Sequence, residues 1–311
     1  MRLVTRSDFD GLICATLLKH IGVIDSYQFV HPKDMQDGKF AAEENDVLAN
    51  VPYVPGCGLW FDHHSSEQER LGPETDFNGS FRAAPSCARV IWDYYGGYAV
   101  FPIQFGEMMV AVDKCDSADL TLEEIEHPTG WILLNFLMDP RTGLGRYHDY
   151  HISNYQLAMA LVGYCRTLPI EEILQLPDVQ ERIVRYWEQD KVFRQMIHEH
   201  ATAHGSTVVL DLRRVEEIFT GNRFTIYVMH PEAAVSILTT RGFRNQNTVI
   251  TCGYSIINRT ASADIGSLML RYGGGGHRAV GTCQVAHEDA DRVISELVEA
   301  LNSNATAACT R

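Results

Sequence analysis

The side chains of this 311-residue chain that can do chemistry fall into a few short stretches. Asp62-His63-His64 follows the apolar Leu59-Trp60-Phe61 with no spacer. An apolar run that ends in polar donors fits a buried strand delivering side chains to the carboxyl edge of a sheet, where open α/β folds place their sites. Imidazole and carboxylate together suit manganese, iron or zinc better than calcium. The competing reading is a strand end and polar turn whose histidines cap or face solvent. Asp8 and Asp10 lie two apart on an extended loop, so both can point to one centre. A helix N-cap would need only one of them. Asp113 and Asp116, three apart at a predicted helix end, share a face. Either can be a ligand, or both can belong to a solvated helix end.

A second set lies later in the chain. Gly273-Gly274-Gly275-Gly276-His277-Arg278 has more glycines than a helix C-cap needs. Amides such as those of Gly275 and Gly276, with no side chains in the way, let an anion approach closely, and His277 adds a donor. A flexible turn is the plainer reading. Ser255, Asn258 and Arg259 end the preceding predicted strand and can converge on the same ligand. His198, Glu199, His200 and His204 have metal-like spacing, but they sit in the polar tail of a long helix and read as a solvated linker.

The elements that must position these residues follow from the apolar pattern. Strands are expected over residues 3–5, 27–30, 47–50 and 59–62, and a helix over 12–20. A polar, helix-compatible segment runs to residue 45. Helices are expected at 85–95, with Pro85 in the first turn, and through 105–112. Strands alternating with helices imply a mostly parallel sheet. Residues 128–200 read as helical. From 206 the pattern changes to strands at 207–212, 223–229, 249–257 and 282–285, with helices at 233–239, 264–272 and 290–301. The last ten residues are small and polar and are expected to fray. Two domains are therefore expected, 1–200 and 206–302.

Composition narrows the class. Apolar residues make up 45% of the chain and the net charge is −14, which argues against a duplex nucleic-acid binder. A small phosphorylated substrate held by a few local cations and a metal remains compatible. Eight cysteines are scattered without a CxxC pair. No leader or membrane span is readable, so a cytoplasmic, reducing setting is expected.

Asp8-Phe9-Asp10-Gly11, Asp62-His63-His64 and the glycine run with His277, in this order and separation, resemble the DHH–DHHA1 phosphoesterase superfamily over nearly the whole chain. That superfamily includes RecJ-type exonucleases, nano-RNA and cyclic-dinucleotide phosphodiesterases, family II pyrophosphatases and exopolyphosphatases. The resemblance implies an α/β fold with a parallel-sheet DHH-like first domain carrying a helical extension. A smaller α/β DHHA1-like domain follows, with an active-site cleft between the two. It implies metal-assisted hydrolysis of a phosphoester or phosphoanhydride in a short nucleotide, oligonucleotide or polyphosphate. Asp8, Asp10, His63 and Asp113 are then the metal ligands, and Asp62 and His64 are catalytic groups beside them. Ser255, Asn258, Arg259, Gly275, Gly276 and His277 bind the substrate's phosphates. A homodimer is compatible with this.

Two departures stand out. The family's histidine before the first acidic pair is absent, with Arg6 and Val4 at the corresponding positions. The bridging aspartate at the end of the third strand is Asn50, and Asp46 lies at that strand's start. A neutral amide bridges two cations poorly, and a guanidinium repels one. One ion per chain, manganese or iron, is therefore expected, with Arg6 as an electrophilic clamp in place of the second or as a partner for Asp8 or Asp10. The alternative to an enzyme is a catalytically impaired nucleotide- or phosphate-binding regulatory module.

Overall fold

The computed structural model describes residues 1–31, 34, 35, 37–64, 67, 70, 71 and 75–308. Its first sheet contains β1 (Arg2–Arg6), β2 (Ser26–Val30), β3 (Asp46–Ala49), β4 (Leu59–Asp62) and β5 (Gly79–Phe81), all parallel and in the order β2-β1-β3-β4-β5. The inner strands are continuous apolar runs because both faces of a parallel sheet are covered. Leu3, Val4, Val47, Leu48, Trp60 and Phe61 are fully buried. The chain goes from β1 to β2 on one side and returns to place β3 on the other. This reversal of strand order makes a switch point between β1 and β3, and the strand ends there open a crevice.

Helix Phe9–His20 follows β1 directly, with Asp8 as its N-cap. Gly11 is required in its first turn, since an added Cβ would overlap the Arg6 carbonyl oxygen. That close approach lets the helix start immediately at the strand end and fixes the loop carrying both aspartates. Trp60 anchors the other side of the crevice. Its ring stacks on Phe81, 5.3 Å between centroids, and its indole N–H donates to the Val51 carbonyl at 3.0 Å. Helices Cys87–Tyr94, Phe105–Asp116, Gly130–Met138, Asn154–Thr167, Ile170–Gln175 and Pro177–His200 follow. Pro85 precedes the helix at 87 rather than lying inside it. Ser86 is the N-cap, accepting from the Arg89 amide.

The second sheet is mixed, in the order β10-β11-β9-β8-β7-β6. Its strands are β6 (Ala201–His204), β7 (Thr207–Asp211), β8 (Val235–Arg241), β9 (Thr248–Tyr254), β10 (Gly275–His277) and β11 (Val280–Val285). β7 and β8 are parallel and the other pairs antiparallel. Ile237, Ile250, Cys252, Ile265, Met269 and Leu297 form its core.

Two expected elements are exchanged. Of residues 233–239, expected to be helical, 235–239 fall in strand β8, which buries Val235, Ile237 and Thr239 alternately between two neighbours. Residues 223–229, expected to be a strand, contain the helix Thr225–Met229, opened by the Asn222 side chain accepting from the Phe224 amide. Tertiary pairing overrode propensity in both. The short strands β5, β6 and β10 have too little apolar pattern to read. Residues 37–45 are turn and irregular structure, and the remainder of the helix-compatible segment lies partly outside the described residues. The final helix, Ala290–Ala308, runs through residues expected to fray, and 309–311 lie outside the described residues.

The chain divides into two compact units, Met1–Leu120 with His127–Tyr186, and Thr121–Glu126 with Trp187–Arg311. Among the described residues, no helix is long and apolar enough to cross a membrane.

Candidate metal centre

Asp10 lies in the first turn of its helix and is 2% exposed. Its oxygens accept from the amides of Cys87 at 2.9 Å and Ala88 at 2.8 Å, the free N-terminal amides of the next helix. That positive helix end offsets part of the cost of burying a carboxylate. Burial and the nearby Asp116 charge nevertheless push its pKa up to about 7, with His63 opposing.

His63 leaves the end of β4 with its Nδ1 3.0 Å from the Ala84 carbonyl oxygen. A carbonyl can only accept, so Nδ1 is protonated in the neutral ring and Nε2 carries the lone pair. Nε2 lies 3.1 Å from Asp116 Oδ2 and 3.9 Å from Asp10 Oδ2. It is buried and aligned for a hydrogen bond with no described residue. Burial lowers the His63 pKa, but attraction to Asp116 and Asp10 wins and lifts it to about 10. Three acceptor atoms from Asp10, His63 and Asp116, all within 4.8 Å of one another, require a cation between them, a proton or a metal. The donor set, one imidazole and two carboxylates, fits a divalent transition ion.

Asp113, expected as a ligand, faces elsewhere. Its Oδ2 accepts from Arg89 Nε at 2.9 Å and Nη2 at 2.6 Å, and its Oδ1 from Ser86 Oγ at 2.7 Å. It therefore fixes the start of the Cys87–Tyr94 helix, whose amides hold Asp10. Asp116, one turn later, is the acid brought to His63. Asp113 and Asp116 share a face, and only Arg89 and Ser86, distant in sequence, decide between them.

Asp8 is also taken. Its Oδ2 pairs with Arg6 Nε at 2.8 Å, and its Oδ1 accepts from the Gly11 amide at 3.0 Å and Asn50 Nδ2 at 3.1 Å. It joins no group of metal-binding geometry among the described residues. Arg6 and Asn50 thus occupy the side of the crevice where a second ion would need anionic ligands. Asp46 forms a two-point pair with Arg2, away from this cluster.

Asp62 Oδ1 accepts from the His63 amide at 2.9 Å and faces His64 Nδ1 at 2.7 Å. Asp62 therefore orients His64, whose ring is 35% exposed. Asp62 Oδ2 is buried without a described partner. Asp10, Cys14 and Cys87 form another compact group, but burial pushes the Cys87 thiol up to about 12 and leaves it protonated, a poor ligand. His198, His200 and His204 join no such group among the described residues.

In the second unit, β9 ends at Tyr254 and the chain turns. Ser255 Oγ accepts from the amides of Ile257 and Asn258. Asn258 donates to the Glu232 carbonyl and accepts from Thr260, and Arg259 Nε donates to the Ile256 carbonyl. The glycine run, expected as a loop, is partly strand β10. Cβ atoms at Gly274 and Gly276 would overlap the Thr282 and Val280 carbonyl oxygens, whereas one at Gly275 would meet nothing within 4 Å. Tight sheet packing accounts for the first two, and open space lies beside the Gly275 Cα. Val280 pairs with Gly253 and the Ala279 carbonyl accepts from the Tyr254 amide, so His277 and residues 255–259 lie at one end of the sheet.

No protein-family model and no curated protein matches the sequence. Among solved structures, a pGpG-specific phosphodiesterase, PggH, from Vibrio cholerae is 51% identical, with 97% of this chain and 99% of that one covered and a TM-score of 0.86. RecJ from Thermus thermophilus in complex with Mn2+ has 12% identity and a TM-score of 0.53, covering 96% of this chain and 51% of that one. An exopolyphosphatase-related protein from Bacteroides fragilis has 12% identity and a TM-score of 0.50, covering 96% and 91%. The last two likenesses concern the fold alone.

Proposed function

Because this chain belongs to the DHH family of phosphoesterases, we propose that it hydrolyses the phosphodiester of a short 5′-phosphorylated dinucleotide of the pGpG kind, using one divalent ion held by Asp10, His63 and Asp116. The observation that carries this reading is the convergence of His63 Nε2 with oxygens of Asp10 and Asp116, three potential ligand atoms within 4.8 Å of one another. A bound manganese or iron ion supplies acidification of a water and neutralisation of charge on the phosphoryl group. Asp62 orients His64, and His64, open to solvent, holds or moves a proton beside that water. Water adds to phosphorus, the bridging P–O bond breaks, and the leaving oxygen takes a proton, so one dinucleotide gives two mononucleotides.

The dinucleotide class rests on the 51% relative, which acts on pGpG. Domains at 1–200 and 206–302 remain our assignment, the first for the ion and the second for substrate phosphate. In the second, Ser255, Asn258, Arg259, Gly275, Gly276 and His277 are the proposed phosphate contacts, and the open space beside the Gly275 Cα supports this most directly. The pairing of Arg6 and Asn50 with Asp8 favours one ion over two. It also keeps in view the alternative of a nucleotide-binding module with impaired hydrolysis.

The test is incubation of purified chain with pGpG and Mn2+, with products separated by chromatography and metal content measured alongside. Conversion to GMP with about one ion per chain is expected. Binding of pGpG without turnover for any divalent ion supplied would leave the regulatory module as the better description.

A further inference from the structure

We infer that Arg141 is a substrate-binding residue of the metal centre, its guanidinium taking the non-bridging oxygens of the scissile phosphate. This rests on the phosphoester reading above and adds to it a cation that no sequence motif marks. Arg141 lies in the short 3-10 turn Pro140–Thr142, just after helix Gly130–Met138. Asp139 caps that turn, and its Oδ1 accepts both the Arg141 amide at 2.9 Å and Arg141 Nε at 2.8 Å. Asp139 is 7% exposed, so the inner edge of the guanidinium is tethered to a buried group.

Among the described residues, the outer edge finds no partner. Arg141 Nη1 and Nη2 have no hydrogen bond to any described residue. Three arginines that brace this fold behave differently. Arg2 on Asp46, Arg89 on Asp113 and Arg213 on Asp211 each engage their carboxylate through Nε and Nη2 together. A guanidinium held by Nε alone presents its forked end outward, in the geometry that matches two oxygens of a phosphate.

Arg141 also stands in the right field. Its side chain is 54% accessible, so the guanidinium can meet a ligand from solvent. After Asp139, the charges acting on it are those of Asp8 and Asp116, from the crevice itself. Asp8 feels Arg6 and Arg141 together. Arg6 is held by Nε on Asp8 in the same manner, and its charge is spent in part on that buried carboxylate. With a second ion's ligands lost to Arg6 and Asn50, the anionic phosphoryl group needs another positive partner, and Arg141 is placed to supply it.

The test compares wild type, Arg141→Ala and Arg141→Lys, each loaded with Mn2+, on pGpG and on GpG, which lacks the 5′-phosphate. Arg141→Ala is expected to lower kcat/KM about tenfold to a hundredfold on both substrates, the effect of losing hydrogen bonds to a charged group. Metal content and thermal unfolding temperature should stay at wild-type values. Lysine, a point charge without the fork, should recover only part, and added guanidinium should partly rescue the alanine variant. An unchanged kcat/KM, or a loss confined to pGpG, overturns the assignment to the scissile phosphate. Should wild type fail to hydrolyse, the hydrolytic reading fails, and calorimetric titration of the metal-loaded chains with pGpG then decides for Arg141. Affinity at least tenfold weaker in Arg141→Ala supports the contact, whereas equal affinity, or no binding by wild type, overturns it.

Discussion

Asp113 and Asp116 differ by one helical turn and by everything they touch. Asp116→Asn removes one of three anionic or neutral donors from the ion, and a tenfold or greater loss of bound manganese is expected by metal analysis after dialysis, with little change in unfolding temperature. Asp113→Asn should retain the metal and instead destabilise the unit by about 1–3 kcal/mol, because Arg89 and Ser86 lose a charged partner, measurable by urea unfolding. Equal metal loss in both variants would sink this distinction. Arg6 allows a second comparison. Arg6→His restores an imidazole where the family has one, and metal content should rise toward two ions. Arg6→Ala should lower turnover tenfold or more at constant metal if the guanidinium acts on phosphate. The departures at Arg6 and Asn50 were legible in the sequence because a motif position either holds a ligand or does not. The pairing of Arg6 with Asp8 was one of the two readings that position 6 allowed, and the structure takes it. The choice of Asp116 over Asp113 was not legible, because Arg89 and Ser86 decide it through contacts that spacing does not encode.

At the scale of elements, the crevice depends on β4 being held flat beside β5. Trp60 does this through its stack on Phe81, its edge contact with Phe77 at 4.8 Å and its hydrogen bond to Val51. Trp60→Ala is expected to cost about 3–5 kcal/mol, the range for removing a buried aromatic. Denaturant unfolding measures it, and a cost under about 1 kcal/mol would show that the stack is dispensable. The parallel strands of the first sheet were readable because burial on both faces makes each an unbroken apolar run. Residues 223–229 and 233–239 were exchanged because short segments of mixed propensity take their state from neighbours. β8 is a strand because β7 and β9 flank it, and no local pattern carries that information.

At the scale of the whole molecule, the charge of −14 has its own consequence for acid stability. Asp211 shows it clearly. Hydrogen bonds from Arg213 hold its carboxyl down at about 2, against burial, with Thr239 helping. A carboxylate depressed in the folded state stabilises it above the unfolded value near 3.9 and loses that contribution as pH falls toward 2. Wild type should therefore be more stable than Asp211→Asn at pH 6, and the gap should close between about pH 4 and 2. Because Asp211 is more than a third exposed, the gap is small. A gap that widens on acidification would reverse the sign and refute the assignment.

The donors of the proposed metal centre come at positions 10, 63 and 116, brought together by the reversal of strand order between β1 and β3. A nascent chain thus emerges from the ribosome with its first ligand early and its last only after most of the first unit has been translated. No nascent chain that stops short of Asp116 carries the full set. Metal loading by this set is therefore expected to be a late event in biogenesis. A pulse of labelled manganese should be captured by released chains and passed over by ribosome-bound ones stalled before that point.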